Sequence, residues 1–328
     1  MGPDSLSVRL REPLPHSLSP VQFQDETKSL PRFKHLLACV DFSPASCLAL
    51  TEAIRVCKAV GAKLTLLHAC AYAELSSERT DCIDSETFRR AAAKARLEVL
   101  LDEATRQGVR ADSMIEAGEP VAVILQVIAK WGFDLAFLGT QGRLGMERMV
   151  VGSTAEAVLR NAQCPVFTVG PQAIDHLHTR PSGPVLLATD FHESAADALR
   201  YAAVLANKTA SPLHCLHVLP LSMQADKQSN VSTQVVTNAL HHLVEGCMVC
   251  LQPPTCAIAY GSEVSHAIVD YAKAQRAELI VLSVRRAPAV VAHLPPDATY
   301  RIIVTAPCPV LTLSHHHSWV PQLEQTYV

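Results

Sequence analysis

No apolar run in this chain of 328 residues reaches the roughly 18 residues that a membrane-crossing helix needs. The opening stretch, MGPDSLSVRLREPLPHSLSP, lacks the apolar core of a secretory signal. No block of like charge occurs. Lysine and arginine total 28 against 31 Asp and Glu, a net charge of −3, which argues against a broad nucleic-acid surface. Charged residues make up 18 % and hydrophobic residues 49 %, so a disordered chain is excluded as well. Paired half-cystines are also missing from the pattern. The eleven cysteines are an odd number, and most lie inside apolar runs such as LLACV and LTLLHAC. They read as buried, reduced thiols of a cytoplasmic protein with no membrane and no nucleic-acid partner.

What is present is a repeat. At roughly 150 residues per domain the length suggests two domains, and the chain repeats itself. HLLACVDFSPAS at 35–46 returns as PVLLATDFHESA at 184–195, and LTLLHAC at 64–70 returns as LHCLHVL at 213–219. FDLAFLGT at 133–140 returns as AELIVLSV at 277–284, and CPVFTV at 164–169 as CPVLTL at 308–313. His68 and His217 are equivalent. Their recurrence on central strands marks them as core histidines rather than catalysts.

Each copy alternates short apolar runs with helical patterns. In the first, LLACV, LTLLHAC, ADSMIEAG, FDLAFLG and PVFTV read as strands. Ala45–Val60, Ser85–Gln107, Val121–Lys130 and Thr154–Arg160 read as helices. Ser85 is the expected N-cap of the second helix, and Gly108 its C-terminal glycine. Strands alternating with helices imply α/β domains, each a parallel sheet covered on both faces with right-handed crossovers. The expected layout is a mobile tail at 1–32, a first domain at 33–170, a polar linker at 171–183, a second domain at 184–314 and a tail at 315–328. The polar stretch 221–237 is expected to be a loop before a helix.

Chemistry concentrates after the fourth strand. GTQGRLGMERMVVGST, from Gly139 to Thr154, holds four of the 13 glycines. Glycines let backbone amides approach an anion closely. Ser153 and Thr154 then open a helix whose N-terminal amides carry partial positive charge, and Arg143 and Arg148 add counter-charge. The loop leaves the carboxyl end of a strand, where ligands of open α/β sheets bind. Two readings stand beside each other: an anion-binding loop, and a plain turn followed by a capping box of Ser153 with Glu156. Asp41 ends the first strand and points toward the same crevice, where a carboxylate accepts hydrogen bonds from a ribose hydroxyl or a base amine. Its alternative role is to cap the following helix.

These residues resemble the universal stress proteins, here in tandem. The carriers are VDFSPAS and TDFHESA, the LLH strand, the CPV entry to the last strand, and above all Gly139–x2–Gly142–x9–Gly152–Ser153. The last is similar to the ATP-binding motif of the family's nucleotide-binding branch. The resemblance covers about 34–170 and 184–314. It implies two Rossmann-like domains of the adenine nucleotide alpha hydrolase-like kind, each a five-stranded parallel sheet of order 3-2-1-4-5. It also implies ATP, with or without magnesium, at the carboxyl ends of strands 1 and 4. On that resemblance Asp41 holds adenine or ribose, with Cys39 beside it. Ala69 lines the adenine pocket and Leu138 closes it. Gly139, Gln141 and Gly142 wrap ribose and the first phosphates, and Gly152, Ser153 and Thr154 bind the phosphate chain.

The second copy has lost these residues. Gly139 corresponds to Ser283, Gly142 to Arg286, Gly152 to Pro296 and Ser153 to Asp297. Pro296 removes an amide and Asp297 adds a negative charge, so one nucleotide site per chain is expected; Asp190, left alone, reads as a cap. Family members commonly pair through their fifth strands. PVFTV and PVLTL are therefore expected to pair inside the chain as a pseudo-dimer, with a homodimer as a further possibility and an unidentified protein partner. The resemblance implies a nucleotide-dependent regulator or adaptor in a stress response. No motif places a general base, a Walker lysine or a paired acidic metal site, so dedicated catalysis is not expected. Slow ATP hydrolysis, and an interaction module with an empty loop, stay open as alternatives. Cys247-x2-Cys250, with His241, His242 and Cys256 nearby, lacks the second ligand pair that a zinc site would show.

Overall fold

The computed structural model describes residues 30–70, 82–140, 151–173, 183–191, 194–224, 229–247, 249–284 and 298–314. In the first repeat the elements run β1 (His35–Cys39), α1 (Pro44–Val60), β2 (Lys63–Cys70), α2 (Cys82–Arg106), β3 (Ala111–Ala117), α3 (Pro120–Trp131), β4 (Leu135–Gly139), α4 (Ser153–Asn161) and β5 (Val166–Val169). In the second they run β6 (Val185–Ala188), α5 (Ala195–Thr209), β7 (Leu213–Pro220), α6 (Ser229–Glu245), β8 (Thr255–Gly261), α7 (Val264–Ala274), β9 (Leu279–Val284), α8 (Ala298–Thr305) and β10 (Val310–Ser314).

All ten strands form one sheet of order β3-β2-β1-β4-β5-β10-β9-β6-β7-β8. Each repeat therefore has the order 3-2-1-4-5, with parallel neighbours inside it. The repeats join where β5 and β10 run antiparallel, with Phe167 opposite Leu311. Thr168 Oγ1 donates to Val310 O at 3.1 Å, and Thr312 Oγ1 donates to Val166 O at 3.2 Å. The seam is thus nearly two-fold symmetric.

Period-two alternation along the strands sorts the core into layers. Leu36, Ala38, Leu135, Phe137, Phe167, Leu187, Val281 and Leu311 face the layer that holds α1, α2, α5 and α6. That layer runs unbroken across both repeats. The opposite face holds two clusters. Leu37, Cys39, Ala136 and Leu138 pack beneath α3 and α4, while Leu186, Ile280, Leu282 and Val310 pack with residues of α7 and α8. Val151 and Ala155 of the first repeat belong to the second repeat's cluster. Phe33 meets Tyr201 edge-on at 5.6 Å on the other face. No helix among the described residues is long and apolar enough to cross a membrane.

Several local expectations need correcting. Ser85 is not a cap: α2 already begins at Cys82 and Ser85 lies inside its first turn. Gly108 does follow the helix, at φ +83°, and donates to Thr105 O at 2.8 Å. The polar stretch 221–237 is not one loop. It holds a short 3-10 turn, Leu221–Gln224, and the start of α6 at Ser229. Leu240 and Leu243, one turn apart, bury that helix and stabilise it despite its polar beginning.

Candidate functional site

The site is built at the carboxyl ends of β1 and β4. These strands pair directly, Leu36 with Leu135 and Ala38 with Phe137. β2 lies beyond β1 and β5 beyond β4, so the chain's winding reverses between them. Ligands of doubly wound sheets occupy that crevice.

Beyond β1 the backbone makes a tight turn. Asp41 Oδ1 accepts from Ser43 N at 2.9 Å, an Asx turn. Helix α1 is capped by Ser43 rather than by Asp41, because Ser43 Oγ accepts from Ser46 N at 3.2 Å. Between them Phe42 has φ +64°, a left-handed conformation rare for a bulky residue. Its ring lies 4.6 Å from the ring of His68, and the Arg96 guanidinium stands 4.0 Å above it. His68 Nδ1 donates to Val40 O at 2.7 Å, which ties β2 to the end of β1. The second repeat copies this device: Phe191 has φ +59°, stacks 4.8 Å from His217, and His217 Nδ1 donates to Thr189 O at 2.7 Å. Its presence in both repeats makes it a structural brace for the strand end. Asp190 lies four residues ahead of Ser194, the N-cap of α5.

Gly139 ends β4. A Cβ there would stand 2.5 Å from Ala45 C and 2.6 Å from Ser46 N, so the first turn of α1 lies directly on it. Glycine is required here by packing, whatever else it contacts. Thr140, buried, donates its amide to Val169 O at 3.1 Å and its Oγ1 to the same oxygen at 3.3 Å. Its own carbonyl accepts from Gly152 N at 2.8 Å. The two ends of the glycine segment are therefore pinned together. Gln141, Gly142, Arg143 and Arg148 lie outside the described residues.

Gly152 is the N-cap of α4 and supplies no side-chain cap, whereas α1 has Ser43 and α3 has Glu119, which accepts from Ala122 N. The expected capping box of Ser153 with Glu156 does not form, because Ser153 is already helical and Glu156 instead receives Arg160 at 3.0 Å. The first-turn amides at 153–155 have no acceptor within the helix and form the partial positive end of its dipole. Ser153 is exposed and Thr154 half-buried.

The sequence-derived residues thus fall into two groups. Cys39, Ala69 and Leu138 meet in one apolar cluster under α3 and α4. Burial, with Cys164 adjacent, pushes the Cys39 thiol well above its ordinary range, so it is an inert wall. Asp41, Gly139, Gly152, Ser153 and Thr154 stand at the carboxyl edge above that cluster. Thr140 and Val151 lie inside the glycine segment, but the sequence reading gave them no role, because their buried contacts to Val169 and to the second repeat's cluster have no local signature. The repeated Asp-Phe dipeptide was the available signal for Phe42.

In the second repeat, Ser283 is an ordinary residue of β9 paired with Leu313. Arg286, Pro296 and Asp297 lie outside the described residues.

Comparison with known proteins agrees with this architecture. The profile of the universal stress protein family matches residues 32–170 and again 182–314. A universal stress protein of Staphylococcus haemolyticus is 33 % identical over 144 residues, which span 43 % of this chain and 87 % of that protein. One from Methanocaldococcus jannaschii is 29 % identical over 140 residues, 42 % of this chain and 82 % of that protein. The crystal structure of a universal stress protein from Archaeoglobus fulgidus superposes with a TM-score of 0.66 at 22 % identity, over 87 % of this chain and 97 % of that one. At that identity the likeness establishes the shared fold.

Proposed function

This chain belongs to the universal stress protein family, and from that premise we propose that its first repeat binds one adenine nucleotide, ATP, as a cytoplasmic nucleotide-dependent regulator or adaptor. The observation that carries the reading is the edge of β1 and β4. There an apolar trio, a carboxylate and an uncapped helix N-terminus converge. Cys39, Ala69 and Leu138 offer an apolar floor for adenine. Asp41 accepts from ribose hydroxyls or the base amine. Gly139, Gln141 and Gly142 wrap the sugar and first phosphate, and the amides of Gly152, Ser153 and Thr154 take the phosphate chain. Magnesium would travel with the phosphates, because no group of three His, Cys, Asp or Glu side chains among the described residues stands close enough to hold a metal ion.

Calorimetric titration of the full chain with ATP and magnesium tests this. The expected result is one site per chain. Asp41→Ala removes charge-assisted hydrogen bonds of about 1.5–3 kcal/mol, so affinity falls roughly tenfold to a hundredfold. Gly142→Arg imports the second repeat's residue and should abolish binding. No heat from folded wild-type protein, or two equal sites, would refute the reading.

A further inference from the structure

The turn after α6 carries Cys247 and Cys250. In the sequence this is a bare C-x-x-C pair, and the structure adds three observations. Both thiols are free and half-buried on that turn. The backbone on both sides of Cys250 is clamped by one side chain: Asn207 Nδ2 donates to Val249 O at 2.6 Å, and Asn207 Oδ1 accepts from Leu251 N at 3.2 Å. Cys247 is fixed in turn, its amide donating to Val244 O at 2.9 Å. Finally, the pair sits beside two more cysteines. Cys215 and Cys256 are register partners on β7 and β8, and Cys247, Cys250 and Cys256 pack on the apolar cluster that contains Cys215.

The four sulfurs are not equivalent. Cys215 is completely buried, and burial pushes its thiol well up. Burial also pushes Cys256 up, to about 11. Cys247 moves the other way, downward, because the Cys250 thiol, the Val249 amide and the Arg200 charge all favour its thiolate over the opposing burial. The dipole of α6 works against this, since Cys247 follows the helix's C-terminal end. The thiolate is therefore a product of the turn itself.

We propose that Cys247 and Cys250 form a reversible dithiol–disulfide pair oxidised by a hydroperoxide. The Cys247 thiolate attacks a peroxide oxygen, the O–O bond breaks, and hydroxide leaves to take a solvent proton. Cys247 is then a sulfenic acid. Cys250 surrenders its proton to solvent and attacks the Cys247 sulfur. The S–O bond breaks, and hydroxide departs as water. Two electrons pass from the dithiol to the peroxide, which becomes two waters in the hydrogen peroxide case. Because both thiols lie on the turn that Asn207 holds, closure acts within that turn.

The test uses the reduced full chain, hydrogen peroxide as probe, rapid alkylation and peptide mass spectrometry. The expected product is a Cys247–Cys250 linkage, lighter by two hydrogens and reversed by dithiothreitol. In Cys250→Ala the reaction should stop at a dimedone-trapped sulfenic acid on Cys247. At pH 6 the same variant should alkylate Cys247 several-fold more slowly than the wild type, because the thiolate is depleted more than its nucleophilicity rises. Circular dichroism of the variant checks that it folds. The proposal is overturned if wild-type Cys247 runs to sulfinic acid while Cys250 stays unmodified. Linkage of Cys247 to Cys215 or Cys256, or an unreactive Cys247, would overturn it equally.

Discussion

Gly170 follows β5 where the two repeats meet, and replacing it with alanine tests how they are joined. A Cβ there would lie 2.1 Å from Ile303 O and 3.3 Å from Ile303 C. Carbon and oxygen ordinarily approach to about 3.3 Å, so one backbone must retreat from the other by about 1 Å. Neither side ends in a flexible side chain. β5 is fixed by its ladders to β4 and β10, and Ile303 is a buried residue of α8. Retreat must strain the seam, including the Thr168 and Thr312 bonds. Overpacking in a core costs about 1–3 kcal/mol, and two backbone elements place this case near about 3 kcal/mol. At about 1.5 °C per kcal/mol for a chain of 328 residues, the melting temperature should fall by about 4–5 °C. Gly61→Ala is the control. Gly61 has φ +76° with nothing within 4 Å of its Cβ position, so it loses only conformational energy, about 1 kcal/mol. Scanning calorimetry reads both. Gly170→Ala melting no lower than Gly61→Ala would refute backbone-to-backbone packing of the repeats.

Two further outcomes follow from side chains away from the seam. Burial, then the Lys63 charge, holds His35 below its ordinary value of 6.5, and burial does the same to His214. The unfolded imidazoles bind protons that the native ones resist, so their contribution is complete above about pH 6.5 and falls as pH drops below it. Urea midpoints at about pH 7.5 and 5.5 should show this loss, and an unchanged loss in a His35→Gln, His214→Gln chain would refute the assignment. Phe42→Gly relieves about 1 kcal/mol of left-handed strain but removes a ring packed on His68 and Arg96. A net loss of about 1–3 kcal/mol is expected by urea unfolding, and a more stable variant would contradict the brace.

Strands were the most legible feature, because β1, β4, β5, β6, β9 and β10 are apolar on both faces, as buried parallel strands are. The repeat then fixed their equivalence. Helix ends were less legible. Ser153 and Glu156 have the right spacing for a capping box, yet Arg160, one turn on, competes for the same carboxylate, and Gly152 takes the cap position. Ser85 looked like a cap because spacing does not reveal how far a polar first turn extends. Gly139 reads from sequence as a ligand-facing glycine, while its neighbours Ala45 and Ser46 lie about ninety residues earlier in the chain. Such long-range contacts have no local signature. Asn207 clamping Val249 and Leu251 belongs to the same class.

The second repeat's loss of the glycine pattern makes physical sense beside its packing. The repeats are joined at the strand seam by Val166–Thr168 and Val310–Thr312, with Gly170 against Ile303 and Arg160 5.2 Å from the Tyr300 ring. None of these seam residues is a glycine of the Gly139–Gly152 motif. Having Ser283 where the first repeat has Gly139 therefore leaves the seam intact, and the seam supplies what the first repeat needs. Without β10, the buried run Val166–Val169 would be an apolar edge open to aggregation. The benefit also reaches the candidate site. Val151 and Ala155, which flank Gly152 and Ser153, are buried in the second repeat's cluster beside Ile302 and Val310. The first turn of α4, whose amides are the proposed phosphate ligands, is thus held from below by the other repeat. A duplicated half without a nucleotide motif can then still set the rigidity of the half that has one, which is how preorganised amides favour an anion.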